Sequence, residues 1–339
     1  DLRVPRRTTA GELGVSLIGA GNYARLVMMP ALSKLDGIAW RGLCTARGLN
    51  AEHSGRKMNF SFATSETDEV MNDPGTHAVF IATRHDLHAD LVVSALRAGK
   101  HVFVEKPLCI TAAELTRVTA CVEELGTKCP LLMVGLNRRF APSTKLVREH
   151  MRSTSPRVVQ YRFAAGYIPG NVWPQDEDIG GGRIVGEACH AIDMCVALTA
   201  SLPVKVFAES VGAARGLETT DDQVFITMRH EDGSLSNVSY QAGGDRATPP
   251  ERFEVFGGGR TAFVDDWDAV TLFKGEKSAV ERGGKEKGNA ACFAAFIDAC
   301  KRGGGEWPIP WREIHGSMWA TLMAVRSLRE GLPMTHEES

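Results

Sequence analysis

The sequence predicts an α/β chain of two domains: a doubly wound parallel sheet, then a domain built on a mixed or antiparallel sheet. Two patterns predict this. Through about residue 135, short apolar runs alternate with longer stretches whose apolar residues recur at helical spacing. That alternation implies right-handed crossovers and a parallel sheet. After about residue 140, β-type runs follow one another with no helix between them, the pattern of antiparallel or mixed pairing. The length of 339 residues suits two domains. We place them at 1–136 and 137–339, with the C-terminal helix free to pack back on the first.

Element by element, residues 14–18 (GVSLI) read as a buried strand ending in a glycine turn, and 23–34 as the helix after it. Strands follow at 38–44, 78–82, 101–104 and 131–134, with helices at 87–98 and 111–125. The second half reads as a helix at 143–151, a strand at 157–165, a glycine-rich loop and a helix through 198. Strands are then expected at 204–211, 223–229, 234–240, 252–256, 261–264 and 270–273, and helices at 290–301 and 311–329. The first 12 residues, segment 282–288 and the last few residues are expected to be flexible.

Composition excludes several classes. Hydrophobic residues at 43% and charged residues at 24% are globular values, not those of a disordered or fibrous chain. Lys plus Arg total 39 against 41 Asp plus Glu, which argues against nucleic acid as the main partner. No apolar run approaches the ~20 residues that cross a bilayer. The eight cysteines form no C-x-x-C pair and no zinc spacing, so no metal site is expected. They read as reduced thiols of a cytoplasmic protein. The first residues lack the apolar region of a signal peptide, and also lack Met.

The first strand runs into Gly19-Ala20-Gly21-Asn22-Tyr23-Ala24, a G-x-G-x-x-A between strand and helix. Gly19 permits a tight turn, Gly21 lets a pyrophosphate approach the backbone, and Ala24 lets the helix pack closely on the strand. The helix N-terminus then offers free N–H groups and partial positive charge. This is the signature of a Rossmann dinucleotide-binding domain; the plainer alternative is a glycine turn in a nucleotide-free domain. The end of the second strand carries Thr45 and Arg47 where NAD enzymes place a carboxylate for the ribose hydroxyls. Nothing there repels a 2′-phosphate and Arg47 offers it a partner, so NADP is favoured slightly over NAD. Alternatively, Arg47 is a solvated residue at a helix start.

A strand ending in Glu105-Lys106-Pro107 puts two opposite charges at the carboxyl edge of a parallel sheet, where such folds bind ligands. The glycine motif, IATRHDLH (81–88), AGKHVFVEKP (98–107) and GGGRIVGEACHAID (180–193) together resemble the Gfo/Idh/MocA oxidoreductase family. The resemblance covers residues 14–333. Together with GLNRRFAP (135–142), these motifs are similar to a subgroup forming the C-terminal half of bacterial bi-domain oxidoreductases. The other half of those proteins resembles zinc alcohol dehydrogenases, and they are associated with polysaccharide biosynthesis.

The resemblance implies a Rossmann domain, then an α/β domain with a large, open mixed sheet. It implies hydride transfer between NAD(P) and a secondary alcohol or ketone of a sugar, sugar nucleotide or cyclitol. Glu105 would contact the nicotinamide ribose and Lys106 the reacting oxygen, with His190 facing Lys106 from the second domain. Thr83, Arg84, His85 and His88 would line the dinucleotide site, and Asn137 would lie near it. Lysine ordinarily keeps its proton at neutral pH, whereas histidine titrates near it. We therefore expect Lys106 to polarise the oxygen while His190 relays the proton; the plainer reading of His190 is a core histidine.

The chain departs from the family where the usual aspartate, four residues before the histidine, is Gly186 with Glu187 beside it. One helix position turns a side chain by about 100°, so Glu187 joins the catalytic set only if glycines distort the helix start. Trp173 and Asp176, with Tyr167 and Asp178 on the same loop, suit sugar faces and hydroxyls; Trp173 reads equally well as a lid. Arg139, Arg162 and Arg183 suit a diphosphate or carboxylate, or else simple packing. A redox-neutral enzyme with retained NAD(P), and a non-catalytic dinucleotide-binding module, remain as alternatives. The β-rich stretch 204–273 suggests an uncovered apolar face and hence a homodimer or homotetramer.

Overall fold

The structure, a computed structural model, describes residues 11–45, 59–211 and 222–336. It divides into two units. The first comprises residues 1–109, 113–135 and 289–311; the second comprises 110–112, 136–288 and 312–339. The division is not a single cut in sequence, because a helical segment after residue 288 belongs to the first unit.

In the first unit β1 (Leu13–Ile18) is buried along its whole length, as a strand covered on both faces must be. It is flanked by β2 (Ile38–Cys44) and β4 (Ala78–Ile81). The sheet is completed by β3 (Phe62–Thr64), β5 (His101–Val104) and β6 (Leu132–Val134). All pairs are parallel in the order β3-β2-β1-β4-β5-β6, the doubly wound arrangement. The order reverses between β1 and β4, where such sheets open a crevice.

The helix after β1 departs from the expected continuous α-helix. Ala24–Met28 is a π-turn, and α1 proper is only Met29–Leu32. Pro30 has no N–H to donate back along the helix, and a widened turn accommodates such a missing bond. Strand β3 and α2 (Thr67–Asn72) were not expected from sequence. A three-residue edge strand and a six-residue helix are too short to show periodicity. Helices α3 (His88–Arg97) and α4 (Ala112–Leu125) fall where expected.

In the second unit α5 (Pro142–Met151) leads to β7 (Val158–Ala164), followed by α6 (Cys189–Thr199). The strands are β8 (Pro203–Ser210), β9 (Gln223–His230), β10 (Leu235–Gln241), β11 (Glu251–Gly257), β12 (Arg260–Asp265), β13 (Ala269–Lys274) and β14 (Lys277–Arg282). The chain closes with α7 (Asn289–Lys301), α8 (Trp311–Glu330) and β15 (Met334–Thr335). The second sheet runs β14-β13-β12-β11-β7-β10-β9-β8-β15. Only β7 and β10 pair in parallel.

One face of this sheet buries alternate residues such as Val159, Tyr161, Val224, Ile226, Val238 and Phe253. Helix α6 packs on it through β7 and β10, and α5 through β12 and β13. The opposite face exposes Val158, Phe207, Phe225 and Leu235. Polar Gln160, Lys205, Glu209 and Arg229 stand among them. That face is mixed rather than apolar, which corrects the expectation, because period-two alternation brings polar residues out with the aromatics.

Segment 282–288 is tied down, not loose. Gly283 N donates to Asp268 O at 2.6 Å, Lys287 Nζ donates to Glu251 Oε1 at 2.8 Å, and Asn137 Nδ2 donates to Lys287 O at 2.7 Å. Near the C-terminus, Met334 and Thr335 pair with β8. Residues 1–10 and 337–339 lie outside the described residues, so the expectations for them are not addressed.

The packing of α7 in the first unit rests on aromatic contacts. Phe80 and Phe103 stack at 5.0 Å, Phe296 meets Phe80 edge-on at 5.2 Å, and Phe293 lies 5.2 Å from Phe103. Each ring is fully buried, worth about 1.5–3 kcal/mol by area. Phe296→Ala should therefore destabilise the protein by about 3–5 kcal/mol, read as a lowered urea midpoint. A loss under about 1 kcal/mol would show that α7 contributes little to this core.

Candidate active site

In the first unit the glycine turn is demanded by the backbone itself. Gly19 has φ +97°, and a Cβ there would lie 2.3 Å from Ala82 O. Gly21 differs, since a Cβ there would meet no atom within 4 Å. Its constraint is not internal, which suits a backbone kept bare for a ligand at the helix start. Ala24 is buried, as close helix–strand packing requires. Asn22 is exposed and accepts a 2.8 Å hydrogen bond from Arg25.

Glu105 follows β5 directly. Burial raises its carboxyl from the ordinary 4.5 to about 7, against the opposing charge of Lys106 and a hydrogen bond from Tyr23. Its Oε1 is buried with no hydrogen-bond partner. A buried carboxylate oxygen lacking a donor is costly, and a ligand hydroxyl would satisfy it. Gly135 sits beside it, where a Cβ would come within 2.9 Å of both carboxyl oxygens. The same Tyr23 hydroxyl lies 3.1 Å from Asn289 Oδ1, a competing acceptor for its one proton. Lys106 is half-buried next along the chain.

The neighbouring loop divides into accessible and inaccessible groups. Arg84 is exposed, and Thr83 is half-buried with its hydroxyl donating to Arg84 O at 3.1 Å. His85 is 8% exposed, its ring 5.6 Å from that of His88. His88 is wholly buried and its Nδ1 lies 2.7 Å from Pro107 O. Burial lowers its pKa, so the neutral ring donates to that carbonyl. His88 is thus corrected from a lining residue to one that anchors the turn holding Lys106. Thr45 is buried at the end of β2, and Arg47 lies outside the described residues.

In the second unit His190 is the second residue of α6 and is 8% exposed. The preceding Ile184–Ala188 form a π-turn, so the helix start is distorted as Glu187's inclusion required. The sense of the distortion is unexpected. A widened turn rotates fewer degrees per residue, so it does not bring Glu187 to the azimuth of a residue four before His190. Glu187 instead lies to the side, 30% exposed, accepting from the Tyr240 hydroxyl and pairing with Arg183 at 3.3 Å. On the loop before it, Tyr167 is 49% and Trp173 37% exposed. Asp176 is exposed and accepts from Asp178 N at 2.9 Å.

Three further expectations are corrected. Arg139 is 6% exposed and binds Asp193 with both oxygens, at 2.8 and 2.7 Å, as well as Glu313. Its fork is committed to internal carboxylates, leaving it no role toward substrate. Arg183, at 1% exposure, donates to Tyr240 Oη at 2.6 Å and Gly166 O at 2.8 Å, and is likewise internal. Asn137 spends its amide on Lys287 O, as a tether rather than a cofactor ligand. Sequence reasoning missed Tyr240 altogether, because a tyrosine in an alternating strand looks like any core aromatic.

The residues present fit a dinucleotide: a bare backbone at Gly21 on a helix start, and an orphaned carboxyl oxygen at Glu105. Gly19→Ala should destabilise the fold through its clash and its positive φ, whereas Gly21→Ala should leave the urea midpoint unchanged and weaken coenzyme binding at least tenfold. Loss of stability in both, with binding intact in Gly21→Ala, would assign the motif to folding alone. Glu105 gives a pH signature. Its folded pKa is raised, so its stabilising contribution is complete below about 4.5 and is lost as pH rises through about 7. Denaturation of Glu105→Gln between those pH values should lack that slope, at most about 1.4 kcal/mol per unit.

Residues 13–135 match the model for an oxidoreductase family with an NAD-binding Rossmann fold, and residues 153–262 match the GFO/IDH/MocA C-terminal domain. Levoglucosan dehydrogenase of Pseudarthrobacter phenanthrenivorans is 28% identical over 268 residues, 67% of this chain and 67% of that protein. Myo-inositol 2-dehydrogenase of Thermotoga maritima is 25% identical over 275 residues, 77% of this chain and 76% of that protein. The fold is also that of a levoglucosan dehydrogenase solved in complex with NADH, at TM-score 0.81 and 20% identity over 96% of this chain and 99% of that one. Among the described residues no helix is long and apolar enough to cross a membrane. With both of its parts matched, the chain belongs to the Gfo/Idh/MocA family of oxidoreductases.

Proposed function

We propose that this chain is an NAD(P)-dependent dehydrogenase that interconverts a secondary alcohol and a ketone on a sugar, sugar nucleotide or cyclitol. The observation that carries this reading is the buried, partnerless Glu105 oxygen next to Lys106 at the carboxyl edge of a doubly wound sheet. The names of the relatives, dehydrogenases of levoglucosan and of inositol, support the substrate class.

The nicotinamide supplies the hydride acceptor when bound. Lys106 donates to the substrate oxygen and stabilises the charge that grows there as the proton leaves. The sequence resemblance alone assigns the proton relay to His190, a role that suits an imidazole, which exchanges protons near neutral pH. The anchored Pro107 carbonyl keeps the Lys106 turn in place through His88. Glu105 receives a ribose hydroxyl. Exposed Trp173 and Tyr167 offer flat faces to sugar C–H surfaces, and Asp176 and Glu187 offer acceptors to hydroxyls.

NADP is favoured over NAD because Thr45, not a carboxylate, directly follows β2. The open face of the second sheet, with Phe207 and Phe225 exposed among complementary charges, supports a homodimer or homotetramer. None of the eight cysteines is in a disulfide and seven are buried, which supports a reducing, cytoplasmic setting. A partner domain resembling zinc alcohol dehydrogenases rests on the sequence resemblance alone.

Fluorescence titration with NADH and NADPH, then absorbance at 340 nm with levoglucosan, myo-inositol, scyllo-inositol and 1,5-anhydro-D-fructose, tests the reading. We expect tighter binding of NADPH and net absorbance change with at least one polyol. Lys106→Ala and His190→Ala should each lower kcat by about 100-fold or more. Both variants within threefold of wild type would reject these roles. Turnover without accumulated absorbance change would point to a redox-neutral cycle.

A further inference from the structure

The His190 helix begins in a cluster whose parts come from two separate stretches of chain. Arg183 stands at its start, Tyr240 on β10 beneath it, and Glu187 in the π-turn between Arg183 and His190. Tyr240 is fully buried and its hydroxyl is used in both senses. It accepts from Arg183 Nε at 2.6 Å and donates to Glu187 Oε2. The Arg183 guanidinium lies 5.3 Å from the centre of the Tyr240 ring and 3.3 Å from the same Oε2. Among the described residues, both contacts of the Glu187 carboxylate fall on Oε2. The side chain is still 30% exposed, and neither of these contacts uses Oε1.

The same cluster reaches the loop that carries Tyr167 and Trp173. Arg183 Nη2 donates to Gly166 O at 2.8 Å. At the other end of that loop, Gln175 Nε2 donates to Ile168 O at 3.2 Å and to Asp222 Oδ1 at 3.4 Å. Asp222 Oδ1 lies 4.0 Å from Arg183 Nε. A hydroxyl polarised by a cation is a stronger donor than an isolated one, and a carboxylate held by two donors on one oxygen has its other oxygen fixed in direction.

We propose that Tyr240 is a positioning residue for substrate specificity: with Arg183 it holds Glu187 so that Oε1 accepts a hydroxyl of the polyol. This rests on the dehydrogenase reading and assigns the Glu187 carboxylate within it. It also accounts for a carboxylate kept beside His190 although the residue four before the histidine is Gly186. Glu187 does not reproduce that azimuth; its extra methylene and a clamp from the sheet below aim it from the side. The π-turn moves the carboxylate off the buried face of the helix, and Tyr240 fixes where it ends.

The test is calorimetric titration of levoglucosan and of myo-inositol into NADH-loaded wild type, Tyr240→Phe, Glu187→Gln and the double variant. Fluorescence titration of NADH and urea midpoints are measured in parallel. Tyr240→Phe keeps the ring and removes only the donor. We expect polyol binding about tenfold weaker in Tyr240→Phe, NADH affinity within twofold of wild type, and a double variant no weaker than Glu187→Gln alone. That coupling with coenzyme binding intact is an effect that general destabilisation does not produce. Polyol binding within twofold of wild type in Tyr240→Phe, beside a weakened Glu187→Gln, overturns the clamp and leaves the dehydrogenase reading standing. Additive losses in the double variant overturn it as well. Absence of binding by both polyols to wild type overturns the assignment of a polyol hydroxyl to Glu187, while the 340 nm assay decides the dehydrogenase reading separately.

Discussion

Two consecutive arginines hold the second unit together. Arg138 and Arg139 share the turn Asn137–Phe140, yet they point to different carboxylates. Arg138 makes a two-pronged contact to Glu251 on β11, at 2.7 and 2.9 Å, and Arg139 does the same to Asp193 on α6. Arg139 also pairs with Glu313 on α8, and Ser317 of that helix donates to Asp193 at 2.8 Å. One turn thus fixes the sheet, the His190 helix and the closing helix. Burying these ions costs several kcal/mol each, which two-pronged geometry and extra donors offset. Glu251 accepts from Tyr161 and Lys287 as well, and Arg138 first, then Lys287, hold its carboxyl down to about 2 despite burial. Removing Arg138 or Arg139 would strip a buried carboxylate of its two-pronged partner, a loss of about 3–5 kcal/mol.

The candidate active-site groups depend on similar economy. Two of the groups that would touch a ligand are backed by groups that cannot. The Lys106 turn is backed by buried His88, and the half-buried Glu187 carboxylate by buried Tyr240 and Arg183. Such backing restricts rotamers before a ligand arrives, which is how a site gains orientation without ordering itself on binding. Glu105 is different, since burial penalises its charge and one oxygen has no donor. A destabilised carboxyl at the carboxyl edge of the sheet is the sort of group that ligand contacts relieve.

The strands of the first unit were legible because each is a short apolar run between helical patterns, and Ile38–Cys44 and His101–Val104 coincide with expectation to the residue. The pieces missed, Phe62–Thr64, Thr67–Asn72, Lys277–Arg282 and Met334–Thr335, are short or lie at sheet edges. There, pairing with a neighbour rather than local pattern makes the strand. Both π-turns were invisible for a related reason. A widened turn keeps helical composition and changes only the hydrogen-bond ladder. The arginines stayed between a ligand role and packing because a fork for an internal carboxylate and a fork for a ligand's have the same chemistry. Nothing in GLNRRFAP distinguishes them.

The sequence by itself determined the two-domain α/β class, the glycine turn at Gly19 and the family. It also marked Lys106, His190 and Glu105 as the residues to examine. These follow from local rules: glycine at positive φ, period-two and helical patterning, and motifs that keep their spacing along the chain. Only the tertiary structure decided which polar groups are inside. It buried His88, Arg139 and Arg183, gave Asn137 to Lys287, and brought Tyr240 from a strand more than 50 residues away to the Glu187 carboxylate. The reason is that burial and hydrogen-bond partnership are properties of the packed whole. A side chain's chemistry can be read from its letter, but the groups that desolvate and satisfy it come from distant parts of the chain.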